Sequence, residues 1–181
     1  MTDFFELAQK RESCRKYAKR PVEREKIVAC LEAARLAPSA CNSQPWHYFV
    51  ADDSVLTSQI AASVQGFGMN RFADEVPTFV IVTEEKVTLK GVVLRRFKGQ
   101  EYAQIDIGLS VAHFVLAAAE QGLGTCILGW YDEETLKGIL HIPAERKIRL
   151  VLCVGYPADE TPRQKIRKPL DEIVDWVESR E

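Results

Sequence analysis

Ala37-Pro38-Ser39-Ala40-Cys41-Asn42-Ser43-Gln44-Pro45-Trp46 separates two stretches of different period. Ahead of it, Ile27, Val28, Leu31 and Ala34 recur at helical spacing; behind it, His47-Tyr48-Phe49-Val50-Ala51 reads as a strand. Pro38 stops the helix and Pro45 sets the approach to the strand, because proline lacks an amide hydrogen and restricts the residue before it. Between the prolines, Ser39, Asn42, Ser43 and Gln44 carry side chains that both donate and accept. A loop this polar and this stiff either bonds its own backbone or meets an outside partner, and its spacing alone leaves both uses open.

Outward toward the start of the chain, Pro21 predicts the opening of the helix that runs through Leu36. Before it, Asp3 to Lys10 reads as a short helix with Asp3 and Glu6 at capping-box spacing and Phe4, Leu7 and Ala8 as its stripe. Lys10-Arg11-Glu12-Ser13-Cys14-Arg15-Lys16-Tyr17 follows, a basic run with a hydroxyl at its centre. It is either a solvated charge run or an anion clamp, since two guanidinium groups flanking a serine suit a phosphate.

Toward the end of the chain, Asp52-Asp53-Ser54 caps a helix with Leu56, Ile60 and Val64 inward, and Gly66-Phe67-Gly68-Met69-Asn70 is a loop. Arg71 stands where a dinucleotide fingerprint needs its third glycine. The unbroken apolar run Thr78 to Thr83 predicts a strand covered on both faces. Residues 84–101 form the most polar stretch, a lid or an exposed connector. Tyr102 to Gln121 is the clearest helix, with Ile105, Leu109, Ala112, Leu116 and Ala119 as its expected stripe and His113 as a packed, hydrogen-bonded residue. Gly122-Leu123-Gly124 ends it. Thr125 to Trp130 reads as a strand ending in a turn and Lys147 to Gly155 as a strand, with a helix from Asp132 through Leu140 between them. A second basic run, Arg163 to Lys168, precedes a predicted helix carrying Leu170, Ile173, Val174 and Val177.

The 181 residues suit one domain, 46% hydrophobic and 28% charged. A net charge of −2 argues against a nucleic-acid or membrane-surface role. An acidic beginning and the lack of a long apolar run predict a cytoplasmic protein. Five scattered cysteines with no Cys-x-x-Cys predict reduced thiols without disulfide or metal, Cys41 included among the packed ones. No Walker motif and no metalloprotease motif is present.

Four segments carry a resemblance. Ala37-Pro38-Ser39-x-x-Asn42-x-Gln44-Pro45-Trp46 resembles the signature loop of the FMN-dependent nitroreductase family. Arg11-x-Ser13-x-Arg15, Gly122-Leu123-Gly124-Thr125-Cys126-x-x-Gly129 and Lys165-x-Arg167 are similar to other segments of that family, in the same chain order. The resemblance implies an α+β class fold with three α/β/α layers, a mainly antiparallel central sheet and an intertwined homodimer, residues 1–181 forming a single FMN-binding domain. It implies FMN at the subunit interface, with Arg11, Lys165 and Arg167 (Lys168 the alternative) on the phosphate and Arg15 at the N1/O2 edge of the ring. Ser13, Pro38, Ser39, Asn42 and Gln44 would complete the contacts, the signature loop coming from the partner chain. Asn70 would stand near the ring, and a backbone N–H at Leu128 or Gly129 would face N5. Hydride would come from NADH or NADPH in a ping-pong reaction and leave to a nitroaromatic, quinone, flavin or enone acceptor. No side chain is needed as acid or base. Members that fragment flavin or remove halogen share the fold, and an FMN sensor or store without turnover is the non-enzymatic alternative. Glu12 departs from the basic or histidine residue often found beside the clamp serine.

Overall fold

The computed structural model describes residues 3–86, 102–159 and 163–179. Four strands form one antiparallel sheet: β1 (Trp46–Ala51), β2 (Thr78–Glu84), β3 (Gly124–Leu128) and β4 (Lys147–Gly155), in the order β1-β2-β4-β3. Five helices accompany them among the described residues: α1 (Phe4–Lys10), α2 (Arg24–Arg35), α3 (Ser54–Val64), α4 (Tyr102–Glu120) and α5 (Glu133–Leu140).

Strand alternation sorts the core into two layers. Val80, Val82, Leu152 and Val154 meet Ile27, Cys30 and Ala34 of α2 and Ile107, Val111 and Phe114 of α4. Phe79, Ile81, Val151 and Cys153 on the opposite face meet Ile60, Ala61 and Val64 of α3 and Leu136 of α5. Both central strands are therefore covered on both sides, as the apolar run 78–83 predicts. Each such side chain contributes about 1.5–3 kcal/mol by leaving water. The three-layer α/β/α arrangement follows from this alternation.

Caps behave as their residue types require. Asp53 accepts from the amides of Val55 and Leu56, Asp132 from Thr135, and Asp3 from Phe5.

Several expectations need correction. α2 begins at Arg24, three residues after Pro21, because Glu23 is held extended with its carboxylate taken by Tyr156 Oη and Arg20. That same pairing holds the Glu23 carboxyl down at about 2, the Tyr156 hydroxyl being the chief cause. Val28 is exposed, and Cys30 takes its place in the buried face. β3 ends at Leu128, short of Trp130.

The stripe assigned to α4 is rotated. Ile107, Val111, Phe114, Val115 and Ala118 are buried, whereas of the expected stripe only Ala119 is buried, Ile105, Leu109 and Ala112 face outward and Leu116 is half-buried. Apolar residues ring this helix on both sides, so periodicity alone had two solutions. α4 is long and apolar enough to cross a bilayer, yet one face forms the core of the α2 layer. His113 is exposed and bonded to the Leu109 carbonyl of its own helix.

The tail is the largest departure. Only a single 3-10 turn, Leu170–Glu172, forms where a helix was expected. Leu170, Ile173, Trp176 and Val177 are exposed. An amphipathic pattern makes a helix only when its apolar face is buried, and among the described residues Leu170, Ile173 and Val177 of this face stand exposed with only Val174 half-buried. Of the polar stretch 84–101, residues 87–101 lie outside the described residues.

Candidate functional site

The first basic run is fastened to the sheet. Cys14 donates its amide to the Thr125 carbonyl at 2.8 Å, Ala18 to Tyr156 at 2.9 Å, and Ala158 to Lys16 at 3.0 Å. Ser13 bridges Thr125 in parallel and Tyr17 bridges Pro157. Two glycines permit this approach. A Cβ on Gly124 would stand 2.8 Å from Cys14 Cβ, and one on Gly155 would stand 2.7 Å from Tyr17 Cδ1 and from Pro77 Cδ. Cys14 and Tyr17 are buried, which turns Ser13, Arg15 and Lys16 outward.

The second basic run lies over the first. Arg163 donates its backbone N–H and its Nε to Glu12 Oε2, at 3.2 and 3.3 Å, and its Nη2 to the Ser13 carbonyl. Lys165 Nζ donates to the Gln9 carbonyl. Between the runs opens a cleft of about 330 Å³ lined by residues 11–13, Arg15 and residues 163–167. Five cations and one carboxylate line it. Partial burial, then repulsion from Arg11, push the Lys165 ammonium below the usual lysine range; Glu12 works in the other direction. A concave site with this excess of donors and positive charge, and with Ser13 in its lining, suits a phosphate monoester.

Arg11, Ser13, Arg15, Lys165 and Arg167 are thus brought together, and Lys168 is not among the cleft residues. Two further members, Glu12 and Arg163, were not assigned to the site from sequence. The one carboxylate in a basic run and the first cation of the second run were the available signals.

The signature loop lies elsewhere on the chain, for none of residues 37–46 lines the cleft. Ala40–Asn42 forms a 3-10 turn in which Cys41 and Asn42 both have φ 53°, and Gln44 follows at φ 45°. Three left-handed residues without a glycine cost free energy and persist only where surroundings over-determine them. Here Gln44 N donates to Ser39 Oγ at 3.0 Å and Gln44 Nε2 to Asn42 Oδ1 at 3.2 Å. Asp106 of α4, only 4% exposed, accepts from the Ala40 amide at 3.0 Å and from Ser43 Oγ at 3.5 Å. Asp106 is a second omission from the sequence reading; an acidic residue inside the most apolar helix was its signal. Cys41 is exposed, against the expectation of packing, because its left-handed conformation turns it away from the core. Pro38, Asn42 and Gln44 are exposed as well.

Leu128 ends β3 and Gly129 follows it, while Asn70 lies in the loop after α3. Leu128 is buried and Gly129 exposed, with open space around it. Trp130 lies against Gly66, its ring edge-on to Phe67 at 5.7 Å between centroids. Asn70, at φ 50°, donates from Nδ2 to the Val64 carbonyl at 3.0 Å and so closes the end of α3. From Thr125, beside Ser13, β3 carries the chain to Gly129 over about 13 Å at a normal strand rise.

Burial pushes up the thiols of Cys14, Cys126 and Cys153, and that of Cys30 to about 11, so these four are protonated and unreactive at neutral pH. Among the described residues no group of His, Cys, Asp or Glu could hold a metal ion.

The sequence model of the Nitroreductase family matches residues 8–156. The chain belongs to that family. Membership places it among nitroreductase-like oxidoreductases, which are enzymes. A Streptococcus pyogenes protein that carries the name NAD(P)H nitroreductase is 26% identical over 95% of this chain and 98% of its own length. The iodotyrosine deiodinase of Thermotoga neapolitana is 26% identical over 96% of this chain and 97% of its own. Among solved structures, a nitroreductase family protein of Clostridium difficile superposes with a TM-score of 0.81 at 27% identity, over 97% of this chain and 98% of that one. The family model therefore covers the first basic run, the signature loop and all four strands, while the second basic run lies beyond residue 156.

Proposed function

We propose that this nitroreductase family chain is an FMN-dependent oxidoreductase that draws hydride from NADH or NADPH and passes it to a small acceptor such as a nitroaromatic or quinone. The observation that carries the reading is the cleft where two basic runs from opposite ends of the chain close around Ser13. A phosphate monoester carries about two negative charges at neutral pH. Arg11, Lys165 and Arg167 would hold it, and Ser13 would donate its hydroxyl.

Bound FMN would supply the hydride chemistry, at N5 of its ring. Arg15 would stand at the N1/O2 edge, where a fixed positive charge stabilises the negative charge that reduction gathers there. The N–H of Leu128 or Gly129 would donate toward N5, with Asn70 near the ring. Ser39, Asn42 and Gln44, with Pro38 stiffening their loop, would contact the ring from a partner subunit. Two features support a homodimer of single-domain chains. The strained loop lies outside the cleft of its own chain, and apolar side chains of α4 and the tail stand exposed. Proton delivery from solvent suffices, so no acid or base side chain is assigned.

The test is direct. Protein purified with added FMN shows flavin absorbance in the blue, and anaerobic mixing with NADH or NADPH bleaches it. A dimer by sedimentation and turnover of a nitroaromatic or quinone complete the expected result. Colourless, monomeric material overturns the reading, and a yellow protein that nicotinamide does not bleach is a flavin-holding protein without turnover. The likeness to iodotyrosine deiodinase favours one second reading, reductive dehalogenation of an aromatic ring, which 3-iodotyrosine as substrate distinguishes.

A further inference from the structure

Glu12 stands in the wall of a cleft that otherwise collects cations, so its charge opposes any anion bound there. Screened by physiological salt, removing a carboxylate several ångströms from a phosphate dianion tightens binding by roughly twofold to fivefold. The contacts of Glu12 point the other way.

Its Oε2 accepts from both the backbone N–H and the Nε of Arg163, the first described residue of the tail at the cleft. The same guanidinium reaches the Ser13 carbonyl, so carboxylate and serine backbone form one seat for Arg163. Beyond it, the tail is held to the end of α1 by Lys165 Nζ on the Gln9 carbonyl. Ile166 is exposed, and Arg167 Nη1 is bonded to the Ile166 carbonyl within the tail. Lys165 thus stands beside Arg11 and Arg167 on a tail that is fastened first at Arg163, by Glu12 and Ser13, and again at Lys165 itself. Like charges repel, so three neighbouring cations need contacts such as these to hold them together.

We propose that Glu12 is a positioning residue of the phosphate site: its carboxylate seats Arg163 and thereby presents Lys165 and Arg167 to a phosphate monoester that Arg11 and Ser13 face from the other side. The inference rests on reading the cleft as a phosphate site. Repulsion that Glu12 exerts on the anion is smaller than the cation placement it secures.

Binding of FMN and of riboflavin, which lacks the phosphate, is measured by flavin fluorescence on wild type, Glu12→Gln and Glu12→Asp. The expected result is a wild-type preference for FMN and a loss of roughly threefold to tenfold in FMN affinity for Glu12→Gln, with riboflavin affinity unchanged. Glu12→Asp keeps the charge but shortens the reach, so it also loses FMN affinity; a purely electrostatic role predicts no change. Unchanged riboflavin binding separates positioning from general damage to the fold. If wild type prefers FMN while Glu12→Gln binds it as tightly or more tightly, the proposal is overturned and the cleft reading stands. If wild type holds riboflavin as tightly as FMN, the cleft reading fails and the proposal goes with it.

Discussion

The two basic runs carry similar charge and sit in one cleft, but the protein holds them in different ways. Residues 13–18 are laid along β3 and the end of β4 by backbone hydrogen bonds, over two glycines that remove every obstacle to contact. Residues 163–167 are held by side-chain bonds to Glu12, Ser13 and Gln9, with no strand or helix of their own. One wall is thus part of the sheet, and the other is a strap laid over it. Under the proposed reading, the sheet-bound half would set where the phosphate goes and the strap would adjust to it.

The comparison breaks most visibly at Gly155. A methyl group there meets the Tyr17 and Pro77 rings at 2.7 Å, and neither ring is a flexible chain end. Gly155→Ala is expected to lower stability by about 1–3 kcal/mol, read from urea denaturation, and to weaken FMN binding by displacing the fixed wall. Unaltered stability would mean that the first run is not pressed against the sheet.

Comparable in size is the effect of Arg11→Ala. A hydrogen bond to a charged group is worth about 1.5–3 kcal/mol, so FMN should dissociate roughly tenfold to a hundredfold more readily in equilibrium dialysis. Full flavin occupancy after dialysis refutes the clamp.

Lys165→Ala removes a cation from the strap and should weaken FMN binding by less than Arg11→Ala does, because the strap's other cations can shift toward the phosphate. Equal or larger loss would place the strap, not the sheet-bound run, in command of the phosphate.

The smallest effect is on pH dependence. Burial and the Arg11 charge lower the Lys165 ammonium from the ordinary 10.5. The folded state therefore disfavours the charged form, which lessens stability at neutral pH, and the penalty fades as pH rises through the folded value toward 10.5. Apo Lys165→Met should consequently melt slightly above wild type at neutral pH, with the gap narrowing as pH rises. Added FMN should reverse the order, since its phosphate repays the crowding only in wild type.

Much of this was readable in the chain. The unbroken apolar run 78–83 predicted a doubly covered strand, Lys147 to Gly155 was placed end to end, and Asp53 and Asp132 marked their helices. The two basic runs and the signature loop could be named because charge, proline and amide side chains leave a mark at the residue itself. What could not be read was relational. α4 has apolar residues all round, so the face turned to the sheet depends on what α2 and β2 present. The tail shows a helical pattern without a helix, because the pattern needs a surface to bury it.

The sequence by itself determined the four strands, the five helices of the described body, their aspartate caps and the two basic runs, since these depend on side-chain chemistry and spacing over a few positions. Only the tertiary structure decided that Glu12 belongs with Arg163 and that buried Asp106 braces the signature loop. Those partners lie 151 and 66 residues apart, and only the folded chain, with the first run bridged to β3 and α4 packed beneath the loop, brings them within hydrogen-bonding distance.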